Sequence, residues 1–108
     1  MSKGNQISLP CNYSQVVHTI DWRKEDDSIG VPIVMLNVTN GNFERSGLGY
    51  NEGRFNISRD YSLILKDVSF QDEGRYICKV LDAETGLYRS NHTDLSIRGT
   101  HIIVLNTP

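Results

Sequence analysis

Hydrophobic and polar residues alternate along much of this chain. Apolar side chains occupy every second position in four stretches, residues 7–11, 63–65, 76–80 and 93–97. A period of two is typical of a strand with one buried face, so each stretch predicts a β-strand. Ile64 interrupts the alternation, which suggests that its strand is covered on both faces. No window shows the 3.6-residue helical period, and residues 67–73 predict one short turn at most.

Glycine and asparagine separate these strand patterns at short intervals. Residues 40–42, 47–49 and 82–86 contain the strongest turn signals. Many short strands with turns at this spacing predict an all-β domain, built as a sandwich or a barrel.

Length and charge limit the class of protein further. The chain has 108 residues, of which 38% are hydrophobic and 22% charged, as in one soluble domain. The formal net charge of −2 gives no general attraction to nucleic acid or to an anionic membrane. No apolar run is long enough to insert into a bilayer. We therefore expect neither a nucleic-acid partner nor direct membrane insertion of these residues.

The two cysteines, Cys11 and Cys78, are too far apart in sequence for a CxxC redox or zinc motif. They could be two buried thiols or one long-range disulfide. Four N-x-Ser/Thr sequons favour the disulfide, because so many in a short chain indicate a secretory route where both modifications form. The sequon asparagines are Asn12, Asn37, Asn56 and Asn91.

The stretch DEGRYIC, residues 72–78, predicts a corner that leads into a strand. Tyr76 points the same way as Cys78, so its ring can be buried while its hydroxyl returns to the corner backbone. Gly74 permits a tight turn, and Asp72 is placed to pair with Arg54 at the start of another strand. Trp22 lies on the strand after Cys11, with its ring directed at the sulfurs.

These residues together resemble the immunoglobulin superfamily. The resemblance rests on Cys11, Trp22, Leu65 and the Asp-x-Gly-x-Tyr-x-Cys motif of residues 72–78, and it covers residues 4 to about 97. The wide cysteine spacing and the stretch 54–60 are similar to variable-type domains. The resemblance implies an immunoglobulin-like antiparallel sandwich of two sheets, with V-set topology, extra C′ and C″ strands and one inter-sheet disulfide.

The end of the domain has two interpretations. Residues 93–97 match the last strand of the family, and so do residues 100–104 in the style of a joining segment. The first is favoured, because it makes residues 82–86 a compact hairpin loop. We therefore expect a V-type domain over residues 1–98. Residues 99–108 are then a tail, either a linker to a next domain or stalk or a joining-segment-like strand.

No catalytic, metal or cofactor site is expected. The histidines, His18, His92 and His101, belong to no metal-binding or nucleophile–base motif, and the acidic run 25–27 lacks the alternating carboxylates of a calcium loop. The resemblance implies a non-enzymatic, extracellular recognition module of a cell-surface immune-type receptor or adhesion protein. The alternatives are a secreted defence protein, a structural spacer, or a relative of antigen-receptor variable domains.

The resemblance also implies two candidate binding surfaces. One is the sheet face of strands G, F, C and C′, and the other is the loop end of residues 12–20, 37–42 and 81–88. The expected interface residues on the sheet face are Arg23, Glu25, Ile77, Lys79 and Tyr88.

A protein ligand is the expected partner, and a second copy of the domain is one candidate, paired reciprocally through Arg23 and Glu25. Glycans at Asn12 and Asn56 should lie near the opposite sheet. Asn91 lies on the last strand, where a glycan that pointed into the face would oppose binding there.

Overall fold

The computed structural model describes residues 6–13, 15–25, 32–99 and 101–107. Within them, two antiparallel sheets pack as a sandwich, which confirms the predicted fold class. The strands are β1 (Ile7–Leu9), β2 (Val17–Lys24), β3 (Val34–Thr39), β4 (Asn42–Ser46), β5 (Phe55–Ile57), β6 (Leu63–Leu65), β7 (Gly74–Asp82), β8 (Tyr88–Arg98) and β9 (His101–Thr107).

The smaller sheet has the order β1-β6-β5 and the larger one β4-β3-β2-β7-β8-β9. Strands β3 and β4 occupy the places of the expected C′ and C″ strands. One turn of helix, α1 (Leu48–Asn51), follows β4, and a 3-10 helix (Phe70–Asp72) precedes β7. The alternation pattern did not predict α1, because four residues are too few to show a helical period.

The core lies between the sheets and is pinned by the disulfide of Cys11 and Cys78. Its Cα atoms are 5.7 Å apart, within the normal range for a disulfide. Trp22 is directly opposite Cys78 across β2 and β7, and both are fully buried. The indole Nε1 donates to the carbonyl oxygen of Tyr61 at 3.1 Å, so the one polar atom of Trp22 is satisfied.

The corner before β7 forms as the sequence predicts. The Tyr76 hydroxyl donates to the backbone oxygen of Asp72 at 2.5 Å. The Asp72 carboxylate accepts from the Ser69 backbone at 2.9 Å and from the Arg54 guanidinium at 2.8 Å. Arg54 also donates to the Lys66 carbonyl oxygen at 3.2 and 3.1 Å. One buried carboxylate therefore ties the corner to the start of β5.

Gly74 is required where the corner enters β7. Its φ is 146°, a conformation that residues with a Cβ rarely adopt. A Cβ there would lie 2.8 Å from Cε of Lys24. The side chain of Lys24 passes over the glycine, and its Nζ donates to the carbonyl oxygen of Gln71 at 2.8 Å.

Residues 101–107, expected to be a tail or a joining-segment-like strand, form a strand of the larger sheet. Strand β8 pairs with β7 from Gly74–Leu95 to Leu81–Tyr88, so residues 88–98 take the position beside β7. The chain then turns at Gly99, with φ 63°, and β9 pairs antiparallel with β8 as the outermost strand. Residues 101–107 thus extend the larger sheet, while the division of the chain at residue 98 stays a prediction.

The disulfide should supply a large part of the stability. We expect a Cys11→Ala, Cys78→Ala double variant to lose about 4 kcal/mol of unfolding free energy, because the unfolded chain is no longer closed into a long loop. Urea denaturation measures the loss. The parent under reducing conditions should behave similarly, and a loss below about 1 kcal/mol in both would contradict the assigned role.

The Arg54–Asp72 pair should contribute more than an ordinary surface pair. Arg54→Ala leaves the buried Asp72 carboxylate without its cation and the Lys66 carbonyl oxygen without its donor. The matched control is Arg75→Ala, which breaks the more exposed pair with Asp94 and should cost about 0–1 kcal/mol. Thermal melts of both variants test this. Equal melting temperatures for the two variants would contradict the prediction.

Candidate binding face

The surface of β3, β2, β7 and β8 that is turned away from the smaller sheet is here called the outer face. Directly opposed residues of paired strands point to the same side, so the register defines its rows. The first row is Asn37, Thr19, Leu81 and Tyr88; the second is Met35, Asp21, Lys79 and Ser90; the third is Arg23, Ile77 and His92.

The outer face mixes apolar and charged residues and has a tyrosine at one end. Met35, Ile77 and Leu81 are half-buried, one in each row, whereas Tyr88 is 63% exposed. The ammonium of Lys79 lies 4.6 Å from the centroid of the Tyr88 ring, within the range of a cation–π contact. This contact holds the exposed ring against the sheet, so the apolar surface of Tyr88 is presented in a defined position.

The two arginines of the outer face are paired with carboxylates of the chain, and Lys79 lies against the Tyr88 ring. Arg23 Nε lies 3.0 Å from the Asp21 carboxylate, and Arg75 Nε lies 2.8 Å from that of Asp94. The hydrogen bond that Arg75 donates to Asp94 holds the pKa of Asp94 below its usual range and raises the pKa of Arg75. Neither sign of charge dominates the face.

Asp21 competes for Arg23 with the expected reciprocal pairing between Arg23 and Glu25 of a second copy. Arg23 already donates to Asp21 on its own strand. Glu25 is exposed just beyond the end of β2, where its backbone N–H donates to the Arg75 carbonyl oxygen at 2.8 Å. A twofold contact through these two residues would have to share the Arg23 guanidinium with Asp21.

The structure brings Arg23, Ile77, Lys79 and Tyr88 together on one face, with Glu25 at its margin. Further outward residues were not expected at this face: Thr19, Met35, Arg75, Leu81, Ser90, His92 and Asp94. Most of them follow from the alternation when it is continued from Ile77 along β7 and from Tyr88 along β8. Asp21 is also outward but largely covered, with 9% of its surface exposed.

One sequon is placed differently from what the sequence suggested. Asn37, expected in the loop end, lies in β3 on the outer face. Asn91, whose direction the sequence left open, is directly opposite Cys78 and therefore points inward. Its Nδ2 donates to the backbone oxygen of Cys11. Asn56 lies in β5 of the smaller sheet, and Asn12 is exposed after β1.

The loop end is organised by one carboxylate at the end of β7. Asp82 is buried, and it accepts hydrogen bonds from the Tyr13 hydroxyl and from the backbone N–H groups of Glu84, at 2.8 Å, and Thr85, at 2.9 Å. The Tyr13 bond, followed by the Thr85 bond, lowers the pKa of Asp82 to about 2, and the same contact raises the pKa of Tyr13.

Exposed apolar side chains surround this anchored loop. Val16, Leu87 and Tyr88 are each about 60% exposed. Backbone hydrogen bonds from Ala83 to Val16 and from Asp82 to Leu87 bring their segments together. The loop end is therefore continuous with the outer face through Tyr88. Residues 37–39, expected to be part of it, lie in β3 instead.

Among the described residues, no group of three or more metal-binding side chains is close enough to hold an ion. Likewise, no helix in the described part of the chain has the length and apolarity needed to span a membrane.

Removal of the Tyr13 hydroxyl should shift the titration of Asp82. The pKa of Asp82 is lower in the folded state than its ordinary value of 3.8, so the ionised carboxylate stabilises the fold at pH values above 3.8. That contribution is lost as the pH falls toward 2. In Tyr13→Phe the pKa of Asp82 should rise toward 3.8, so the 83–87 loop should loosen at a higher pH. Carboxyl NMR titration measures the shift, with Tyr50→Phe as a control. An unchanged Asp82 titration would overturn this role for Tyr13.

Comparison with known proteins agrees with this architecture. The family model described as the immunoglobulin V-set domain matches residues 1–98. The chain is 30% identical over 91 residues to the tapasin-related protein of Homo sapiens, covering 81% of this chain and 19% of that protein. The chain thus spans about a fifth of the length of the curated relatives it matches.

Two solved structures show the same fold. Human T-cell immunoglobulin and mucin domain protein 1 is 25% identical with a TM-score of 0.65, over 90% of this chain and 92% of that one. CD84 is 14% identical with a TM-score of 0.65, over 83% of this chain and 85% of that one. With the V-set model matched over residues 1–98 and the disulfide-pinned sandwich in place, the chain belongs to the immunoglobulin V-set family.

Proposed function

We propose that this V-set domain is an extracellular, non-enzymatic recognition module that binds a protein partner through the outer face. The observation that carries the proposal is the composition of that face. Half-buried Met35, Ile77 and Leu81 contribute apolar surface to each of its three rows, and Tyr88 at one end is strongly exposed. Interface centres in proteins are enriched in aromatic residues and methionine, and energetic hot spots in tyrosine.

The paired charges support a protein partner in particular. Because Arg23 and Arg75 are neutralised by Asp21 and Asp94, the excess positive charge of these groups is that of Lys79, which is too little to favour a polyanion. A partner with a mixed surface can cover these pairs without facing an unbalanced charge. The same balance would let a second copy of the domain approach without repulsion, so self-association is one form of the proposal.

Membership of the V-set family supports the class of function, since such domains are generally recognition modules. The similarity to a tapasin-related protein, to CD84 and to T-cell immunoglobulin and mucin domain protein 1 supports a role in an immune-type receptor or adhesion protein. The four sequons and the disulfide fit an extracellular location.

The test compares the substitution of two equally exposed aromatic residues, one on the outer face and one away from it. Tyr88 lies on the outer face, and Phe70 lies in the 3-10 helix at the opposite end of β7; each is 63% exposed. The purified domain is screened by surface plasmon resonance against a panel of receptor ectodomains, and against itself by sedimentation velocity. Binding found in either assay is then measured again for Tyr88→Ala and Phe70→Ala.

Tyr88→Ala should weaken binding at least fivefold, about 1 kcal/mol, because it removes the exposed aromatic surface and the contact with Lys79. Phe70→Ala should leave the affinity unchanged. Loss of binding on Phe70→Ala alone would move the site to the opposite end of the sandwich. A domain that binds neither the panel nor itself would count against the proposal.

A further inference from the structure

The sequon at Asn37 lies within a strand of the outer face. In β3, Val34 and Leu36 are buried, and Val38 packs against the core, so the alternate residues Met35 and Asn37 face outward. Asn37 is half-buried between Thr19 of β2 and Glu44 of β4, its cross-strand neighbours. Both side chains are small or flexible, which leaves space above the amide.

The side chains of the Asn37 sequon also serve the fold less than those of the sequons at Asn91 and Asn56. Within the described residues, neither Asn37 nor Thr39 makes a side-chain hydrogen bond, and Thr39 is exposed. At Asn91, by contrast, Nδ2 donates to the Cys11 backbone oxygen, and the buried Thr93 donates to Pro10 at 3.0 Å.

The sequon at Asn56 is also engaged. The Asn56 side chain accepts from the Ile57 backbone at 2.8 Å, and the Ser58 hydroxyl donates to Asp60. A glycan at Asn91 would be attached to the nitrogen that already donates to the fold, whereas at Asn56 the amide oxygen is engaged and the sequon hydroxyl of Ser58 is bonded to Asp60. A glycan at Asn37 would displace no such contact.

We propose that Asn37 carries an N-linked glycan that covers the β3 side of the outer face and restricts a protein partner to its β7–β8 side. In the transfer, the amide nitrogen bonds to the anomeric carbon of an oligosaccharide. The lipid-linked diphosphate that carried the sugar departs, and the amide proton is released. The attachment stands by itself, whereas its effect on a partner rests on the proposed function.

The strand register shows which residues of the outer face a glycan at Asn37 can cover. Met35 is two residues from Asn37 on the same strand and face, at roughly 7 Å, since each residue advances about 3.4 Å. Tyr88 is in the same row but three strands away, at about 14 Å for strands about 4.8 Å apart. The first sugars, being bulky and hydrated, lie over Met35 and Thr19 and leave Tyr88 open.

The test needs no partner. The domain is secreted from a glycosylating host as the parent, as Thr39→Ala, which removes the sequon without changing Asn37, and as Thr39→Ser, which retains it. Peptide mapping by mass spectrometry gives the occupancy of each asparagine. Oxidation of Met35 by dilute peroxide then reports cover over β3, and radical labelling of Tyr88 reports access to β8.

The parent and Thr39→Ser should carry the glycan at Asn37, and Met35 should oxidise at least threefold more slowly in them than in Thr39→Ala. Labelling of Tyr88 should be equal in all three. An unmodified Asn37 in the parent would overturn the proposal, and so would equal oxidation rates of Met35. Protection of Tyr88 to the same degree would overturn the restriction to one side.

These outcomes are separate from those of the binding test. If Met35 is shielded but Tyr88→Ala leaves partner binding intact, the proposed function fails while the glycan site stands. If Tyr88→Ala abolishes binding but Asn37 is bare, the reverse holds.

Discussion

The bond between Cys11 and Cys78 fixes which side of each central strand is inside. Side chains alternate along a strand, so a slip of one residue would turn every core residue outward. Because Cys78 must meet Cys11 across the core, Ile77 and Lys79 must point the other way. Trp22, opposite Cys78, transmits the same constraint to β2. The disulfide therefore also determines which residues of β2 and β7 form the outer face.

At the edge of the sandwich, backbone carbonyl oxygens need hydrogen-bond donors from side chains. After β1 the chain leaves the smaller sheet, and the carbonyl oxygens of Pro10 and Cys11 need donors. Thr93 and Asn91, at inward positions of β8, supply them. Two polar residues therefore stand where the alternation alone would favour apolar ones, and this accounts for the direction in which Asn91 points.

Features governed by short-range pattern or by the family motif were predictable from the sequence. The disulfide, the Tyr76 corner, the Arg54–Asp72 pair and the two-sheet sandwich are of this kind. Strand β9 was one of two interpretations of residues 99–108, and the outward position of Asn37 was missed because Met35 gives β3 an unbroken apolar start that hides its alternation. Likewise, several carboxylates near Arg23 compete to pair with it, and their spacing in the sequence does not show which one is nearest in space.

The anchoring of the loop by Asp82 has a consequence for the entropy of association. A loop that is ordered only on contact loses conformational freedom at that moment, and this opposes binding. Here three hydrogen bonds to one carboxylate hold residues 83–85 and Tyr13 before any partner arrives. Leu87 and Tyr88, which follow directly, are presented from a segment whose ordering was completed during folding. A surface of modest area can then bind more tightly than its size suggests.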